Sequence, residues 1–411
     1  MPVIHVLFRC TMVVLLLASW AVHAAPAELN LAEAERLALD TAPWLKHHRA
    51  AVDAAAERAI HASRLPDPQL VLGAINVPTD TWKLDREDMT MTMVGIRQSF
   101  PPGDTLALKG KRAQKELTRE EAKIEAERRN LLKQVRQAWL ELYFQEESLL
   151  RLQELRRLQE KQLQAAEGRA RAVADMQQVL IRAHQAVARV NEREPMLKAQ
   201  IARSRAQLGR WIGAAATLPL PSALPTLPAP VTEFDTKHHP EWLASEAMSD
   251  AARLEVDMAR QDYKPAWMLD LSYGFRRPMA DGTERPNMAT AMVTFDLPVF
   301  RDKRQDRRLA EKQAMENGAR FESEDKRREL EAMHQSLRAE HAALAERAGI
   351  FEEQLLPAVR REAQTTIAGF ARDQAEYRDA RMKLLDTNLE YTRVRVDLAK
   401  TQAELLYLTG E

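Results

Sequence analysis

Two periodicities divide the chain. From 287 to 297, Ala289, Ala291, Val293, Phe295 and Leu297 alternate with Thr290, Met292, Thr294 and Asp296, and a period of two predicts a β-strand with one apolar face. Similar alternation marks residues 69–76, 89–100 and 267–275, so four short strands are expected in two pairs. Elsewhere the apolar residues fall at helical spacing. Leu117, Ile124 and Leu131, then Val135, Leu142 and Leu149, and later Leu330, Leu337 and Leu344 keep seven-residue steps that predict helix-on-helix seams. Asn30, with Glu33 three residues on, predicts a helix start, and that helix is expected to run to Leu65, before Pro66 and Pro68. Stretches at 104–171, 176–211, 301–369 and 374–408 read as further helices, with a bend at Pro357. At 1.5 Å per residue, two helices of ~68 residues would be about 100 Å long and two of ~36 about 55 Å, so two short ones end to end match one long one.

The pattern runs twice. Pro43, Pro68, Pro101 and Gly213 recur as Pro240, Pro265, Pro298 and Gly410, each 197 residues on (240 − 43 = 197). Several markers at one fixed offset identify a duplication. The first repeat covers 25–217 and the second 232–411, joined at 218–231 by LPLPSALPTLPAPV. A connector so rich in proline can be neither helix nor central strand.

Carried across the repeat, the strand phase places Leu70, Leu72, Trp267, Leu269, Leu271, Tyr273 and Phe275 on the apolar face. Val71, Gly73, Arg97, Ser99, Asp270, Ser272 and Asp296 fall on the other. A strand of ~10 residues with one apolar and one polar face suits lipid outside and water inside. Membrane barrels start at about eight strands, so four that crossed a bilayer would require the chain to oligomerise.

Composition narrows the reading. Sixty Lys and Arg against sixty Asp and Glu leave a net charge of zero, with no excess of one sign to attract nucleic acid. A mean hydropathy of −0.44 speaks against several apolar spanning helices. The one strongly apolar run, at 11–18, follows Arg9 and precedes Val22-His23-Ala24. Residues 1–24 are therefore expected to be a cleaved secretory signal peptide. Cys10, the one cysteine, lies inside it, so the mature chain is expected to carry neither a disulfide nor a lipid-bearing cysteine. No Ser/His/Asp, paired-carboxylate or phosphate-loop arrangement stands out, and neither an enzyme nor a cofactor is expected.

The LPDP before the first strand, the QSFPPGD and DLPVFRDKR junctions, Leu355-Leu356-Pro357 and the long helices resemble the TolC-like outer-membrane efflux factors. The resemblance implies a mainly α fold with a small β part. Duplicated long-helix hairpins would form a trimeric periplasmic α-barrel below a transmembrane β-barrel of twelve strands, four from each of three chains. It further implies a homotrimer in outer-membrane lipid, docked to a periplasmic adaptor and an inner-membrane RND-type pump. Residues 65–78 and 86–101 look most like members associated with heavy-metal export, of copper and silver or of cobalt, zinc and cadmium. Drugs, organic solutes or polypeptides as cargo are the alternative, and a periplasmic coiled-coil adaptor or scaffold is the alternative of another class.

Met89, Met91 and Met93 would share a strand face, and thioethers suit soft cations such as Cu(I). Flexible methionines also fill irregular gaps, so the metal reading rests on the resemblance. Helix turns near 168–178 and 366–378 would meet at the periplasmic mouth, where rings of charge control entry. Arg169, Arg171, Asp175, Arg372 and Asp373 are the gate candidates there. His47-His48 and His238-His239 read as exposed pairs, and adjacent helical residues do not share a face for chelation.

Overall fold

Asn30 opens the first helix as its spacing predicts, its side-chain oxygen accepting the Glu33 N–H at 2.8 Å. In the computed structural model, which describes residues 28–170, 177–229, 233–368 and 374–410, that helix does not reach Leu65. It ends as α1 (Leu31–Thr41), and α2 (Pro43–His61) starts afresh. Ala42 between them is extended, with φ −60° and ψ 108°. The ring of Pro43 disfavours a helical residue before it, yet sits without cost at a helix's first position, where an N–H has no partner anyway.

The chain continues as β1 (Gln69–Ile75), β2 (Met91–Phe100), α3 (Thr105–Ala170), α4 (Gln177–Ile212), α5 (Pro240–Gln261), β3 (Ala266–Phe275), β4 (Met288–Asp296), α6 (Gln305–Ile350), α7 (Leu356–Ala368) and α8 (Gln374–Thr409). Helix, two strands, long helix and shorter helix thus occur twice. The starts of α2 and α5, β1 and β3, β2 and β4, and α4 and α8 keep one offset (288 − 91 = 197 for β2 and β4). Helices α4 and α8 also stop alike, each before a glycine with positive φ, 64° at Gly213 and 93° at Gly410. A residue with a Cβ rarely takes that conformation, and it lets the Gly410 N–H turn back to the Leu406 carbonyl at 2.8 Å.

The repeats differ at Pro357. Its counterpart in α3 is Glu160 (357 − 197 = 160), inside an unbroken helix. Between α6 and α7, residues Phe351–Leu355 form a single π-helical turn in which the Leu356 N–H bonds to the Phe351 carbonyl. Pro357 has no N–H to offer the carbonyl four residues back, and widening the turn before it relieves the ring's clash there. The bend expected from the sequence therefore takes the form of a π turn placed just before the proline.

Packing groups the residues differently from the repeat. One compact unit comprises residues up to 38 together with 138–226, the other 39–137 together with 227 onward. In the first unit Leu29, Ala34, Ala38, Trp139, Leu140, Leu142 and Leu208 have no exposed surface. Trp139 Nε1 donates to the Leu29 carbonyl at 3.0 Å, and the Tyr143 hydroxyl to that of Ser222 at 3.0 Å. Arg205 holds the carbonyls of Ala216 and Leu218 at 2.6 and 2.9 Å. The connector has no ladder of its own, so side chains satisfy its backbone.

In the second unit Leu330, Leu337, Leu405, Tyr407 and Leu408 form a buried cluster, against which Phe234 and Trp242 pack. Gln402 donates to the carbonyls of Leu227 and Pro228 at 3.1 and 2.5 Å. Ion pairs Arg112–Glu255 (3.1 Å), Lys115–Asp250 (2.7 Å) and Lys312–Glu255 (2.8 Å) link α3, α5 and α6. Of the seven-residue series, Leu131, Val135, Leu142, Leu330 and Leu337 are buried. Leu117, Ile124, Leu149 and Leu344 are half-buried.

Candidate membrane face and conduit surface

The four strands form one antiparallel sheet in the order β1-β2-β3-β4. Their register tests the face assignment, because directly paired residues point to the same side. Leu70 pairs with Ile96, Ile96 with Leu271 and Leu271 with Ala291; Leu72, Val94, Tyr273 and Ala289 form the next such row. Phe100, Trp267 and Phe295 make a third. The apolar face is therefore continuous over the sheet, and Leu70, Leu72, Ile96, Leu271, Val293 and Phe295 on it are all exposed. Among the described residues nothing buries them.

Aromatic rings mark both ends of this face. At the helix end Phe100 and Trp267 stack, with centroids 3.9 Å apart and planes 8° from parallel. At the loop end Tyr273 meets Phe275 edge-on at 5.0 Å. The eight steps along β3 from Trp267 to Phe275 (275 − 267 = 8) cover about 27 Å. Tilted by the usual 35–45°, that is about 20 Å of bilayer, close to the apolar band of a spanning barrel with its aromatic girdles.

The opposite face carries Arg97, Ser99, Asp270, Ser272, Thr290 and Thr294. Arg97 Nε meets Asp270 Oδ2 at 2.6 Å across the β2–β3 pair, and Asp270 is buried. A charge-assisted bond of this length lets two ionised groups sit on the sheet without solvating each from water. Within the described residues, β1 and β4 each have a strand on one side only. Their outer N–H and C=O groups form two templates for pairing with another chain.

Two arginines in the β3–β4 loop tie it to the β1–β2 loop. Arg285 donates to the carbonyls of Arg277 (2.7 Å), Leu84 (3.1 Å) and Glu87. Arg276 reaches the Asp88 carboxylate at 2.8 Å and its carbonyl. Sequence reading passed over both arginines, since an Arg in a polar loop carries no sign of a carbonyl partner some 200 residues away.

Neither a family model nor a curated protein sequence matches the chain. Solved structures do. A membrane protein from Pseudomonas aeruginosa superposes with a TM-score of 0.77 at 16% identity, covering 92% of this chain and 93% of its own. The outer membrane protein VceC of Vibrio cholerae gives 0.76 at 16% identity, covering 92% and 96%. CusC gives 0.75 at 15% identity, covering 93% of each. The fold is that of the TolC-type channels.

Within this TolC-type fold the candidate residues separate. Met91 and Met93 lie on β2, on the face away from the aromatic rows. Met89 does not join them, because β2 begins two residues later than the alternation predicts. Thr90 donates its hydroxyl to the Asn76 carbonyl at 2.6 Å and its N–H to that of Glu87 at 3.1 Å. Asn76, at φ 55°, holds the Met89 carbonyl at 3.3 Å. This closes the hairpin before Met89 can pair, and its side chain stands in the loop, exposed.

Arg171, Asp175, Arg372 and Asp373 lie outside the described residues, as does the side chain of Arg169. The histidine pairs are not alike. His238 is exposed beside Asp235 at 2.9 Å, whereas His239 is buried and caps α5, its Nδ1 accepting the Glu241 N–H at 3.3 Å. His47 and His48 touch only ring to ring, at 5.4 Å. Among the described residues no three His, Cys, Asp or Glu side chains are placed to hold a metal ion, and no helix is long and apolar enough to cross a membrane.

Proposed function

We propose that this chain is the outer-membrane channel component of a tripartite efflux system, a passive exit duct. The observation that carries the reading is the sheet, with its exposed apolar face between aromatic rows, its polar opposite face and its two open edges. Pairing β4 of one copy with β1 of the next would give three chains a closed ring of twelve strands (3 × 4). Closure leaves no unpaired edge in lipid, which a lone four-stranded sheet could not achieve. Structural neighbours of the fold are described in matching terms: VceC is an outer membrane protein, and the CmeC of Campylobacter jejuni an outer membrane channel.

On this reading residues 1–24 are a cleaved signal peptide, 25–217 and 232–411 are the two repeats, and no lipid anchor is needed. The long helices form the periplasmic part, which meets a periplasmic adaptor and an inner-membrane RND-type pump. Arg169, Arg171, Asp175, Arg372 and Asp373 are the gate at the helix turns. The cargo is heavy-metal cations, copper and silver or cobalt, zinc and cadmium. The protein acts by guiding diffusion, with no bond made or broken.

Fractionation and electrical recording test it. The expected results are recovery in outer membranes, a trimer in detergent and stepwise conductance in planar bilayers, together with metal sensitivity of a deletion strain. A monomer soluble in the periplasm without detergent would sink the duct. A deletion that changed drug tolerance but not metal tolerance would overturn the cargo alone.

A further inference from the structure

Five methionines lie in the strands, and the register places Met91, Met93, Met268, Met288 and Met292 on the polar face. None is on the apolar face, where Leu, Ile, Val, Ala and aromatic residues stand, with Thr92 and Gln98 towards its two ends. Methionine is apolar, and lipid contact would be the natural place for it if burial alone decided. Its consistent absence from that face calls for a role in which sulfur meets water and solutes.

Three of the five group at the loop end. Gly274 pairs with Met93 on one side and Met288 on the other. The Met91 sulfur lies over Gly274, where an added Cβ would come within 2.5 Å of it. On the far side of Met93 the pairing residue is again a glycine, Gly73, and a Cβ there would lie 3.6 Å from Met93 Cγ. Two missing side chains thus leave room on this face that thioethers occupy, the Met91 sulfur over Gly274 and the Met93 side chain beside Gly73. Met91 and Met288 also occupy the same position in the two repeats (288 − 91 = 197). A closed trimer would carry them as one ring of six sulfurs, two per chain.

Thioethers are uncharged, soft donors that suit Cu(I) and Ag(I), while Zn(II) and Co(II) favour harder nitrogen and oxygen ligands. Of the guanidinium groups flanking this group, Arg276, two residues beyond Gly274, is paired with Asp88 at 2.8 Å and Arg97 with Asp270 at 2.6 Å, so the charge of each is offset by a carboxylate. We propose that Met91, Met93 and Met288 form a thioether site for soft monovalent cations near the exit of the conduit. It rests on the reading above that the polar face lines the duct. Few and flexible ligands give a hold weak enough to release, which a conducting path requires.

The test titrates the detergent-solubilised trimer with Ag(I) and, separately, Zn(II) in chloride-free buffer. Ag(I) should bind, with Zn(II) weaker by at least ~10-fold on the softness of the donors. The combined Met91→Leu, Met93→Leu, Met288→Leu variant keeps side-chain volume and should lose that Ag(I) site, with affinity down ~10-fold or more, while its bilayer conductance stays as in the parent. Gly274→Ala retains every sulfur but displaces that of Met91, and should weaken Ag(I) binding several-fold. Absence of Ag(I) binding by the parent trimer overturns the site. So does unchanged binding by the triple variant or, should that variant not assemble, by Gly274→Ala. Conductance is read on the same samples, so a parent trimer that binds Ag(I) but does not conduct refutes the duct and leaves the site standing.

Discussion

At the scale of single residues, His239 shows how burial converts a polar group into a pH dependence. Its ring is packed edge-on against Tyr407, with centroids 5.4 Å apart. Desolvation is the main cause holding its pKa down at about 4, below the ordinary 6.5, with the charges of Arg129 and Lys326 acting the same way and Glu241 opposing them. Between pH 6.5 and about 4 the unfolded chain therefore binds a proton that the folded chain refuses. The His239 contribution to stability is complete above pH 6.5 and falls as the pH drops, by up to ~1.4 kcal/mol per pH unit. His239→Asn keeps a side-chain acceptor for the helix cap but cannot titrate there. The expected outcome is a smaller drop in thermal midpoint from pH 7 to pH 4.5 than in the parent, measured by circular dichroism at 222 nm. The residue was legible as a histidine beside a helix-starting proline, but its burial was not. Of the rings beside it, Phe234 is five residues back, but Tyr407 comes from the far end of the chain, 168 residues on (407 − 239 = 168).

At the scale of elements, local sequence specified most of what forms. The strands are where the alternation places them to within two residues, and proline explains both helix interruptions, at Pro43 and before Pro357. Pro357→Ala restores an N–H four residues beyond the Glu353 carbonyl and removes the ring. The π turn over Phe351–Leu355 should then close to regular α-helix. Hydrogen exchange of peptides spanning 350–358 should slow, with a stability gain on the order of 1–3 kcal/mol, the scale of an interior proline's cost. Unchanged exchange there would mean that packing of Phe351, which is buried, fixes the π turn without help from the proline. Hairpin closure at Thr90 and Asn76 escaped the alternation because it depends on two side chains bonding across the loop.

At the scale of the whole molecule, the apolar face of the sheet has a job only if something outside the chain covers it. Lipid and a neighbouring copy make different demands. Leu271 pairs with Ile96 and Ala291 near the middle of that face, while Thr290 lies on the opposite face. Leu271→Arg should cost ~2–4 kcal/mol in the bilayer, against little for Thr290→Arg in an aqueous lumen. The expected outcome is loss of trimer from outer membranes for Leu271→Arg and normal recovery for Thr290→Arg, judged by heat-modifiable mobility of the membrane fraction. Equal recovery of the two would refute the lipid assignment of the face. The net charge of zero fits this picture, with acids and bases paired along the helices, as in Arg112–Glu255 and Lys115–Asp250.

Sequence by itself determined the duplication, the four strands with their faces, and the long helices. Each depends on a period or an offset, and those act between residues near in the chain or at one constant spacing. Tertiary structure alone decided the strand order and register, the buried state of His239, the carbonyl bonds of Arg276 and Arg285, and the placing of Met91, Met93 and Met288 on neighbouring strands beside Gly73 and Gly274. These relations join residues far apart along the chain, Met93 to Gly274 for example, and no local periodicity encodes a pairing made across such a distance. The packing units, too, ignore the repeat: a helix of 66 residues, α3, is long enough to contribute to both.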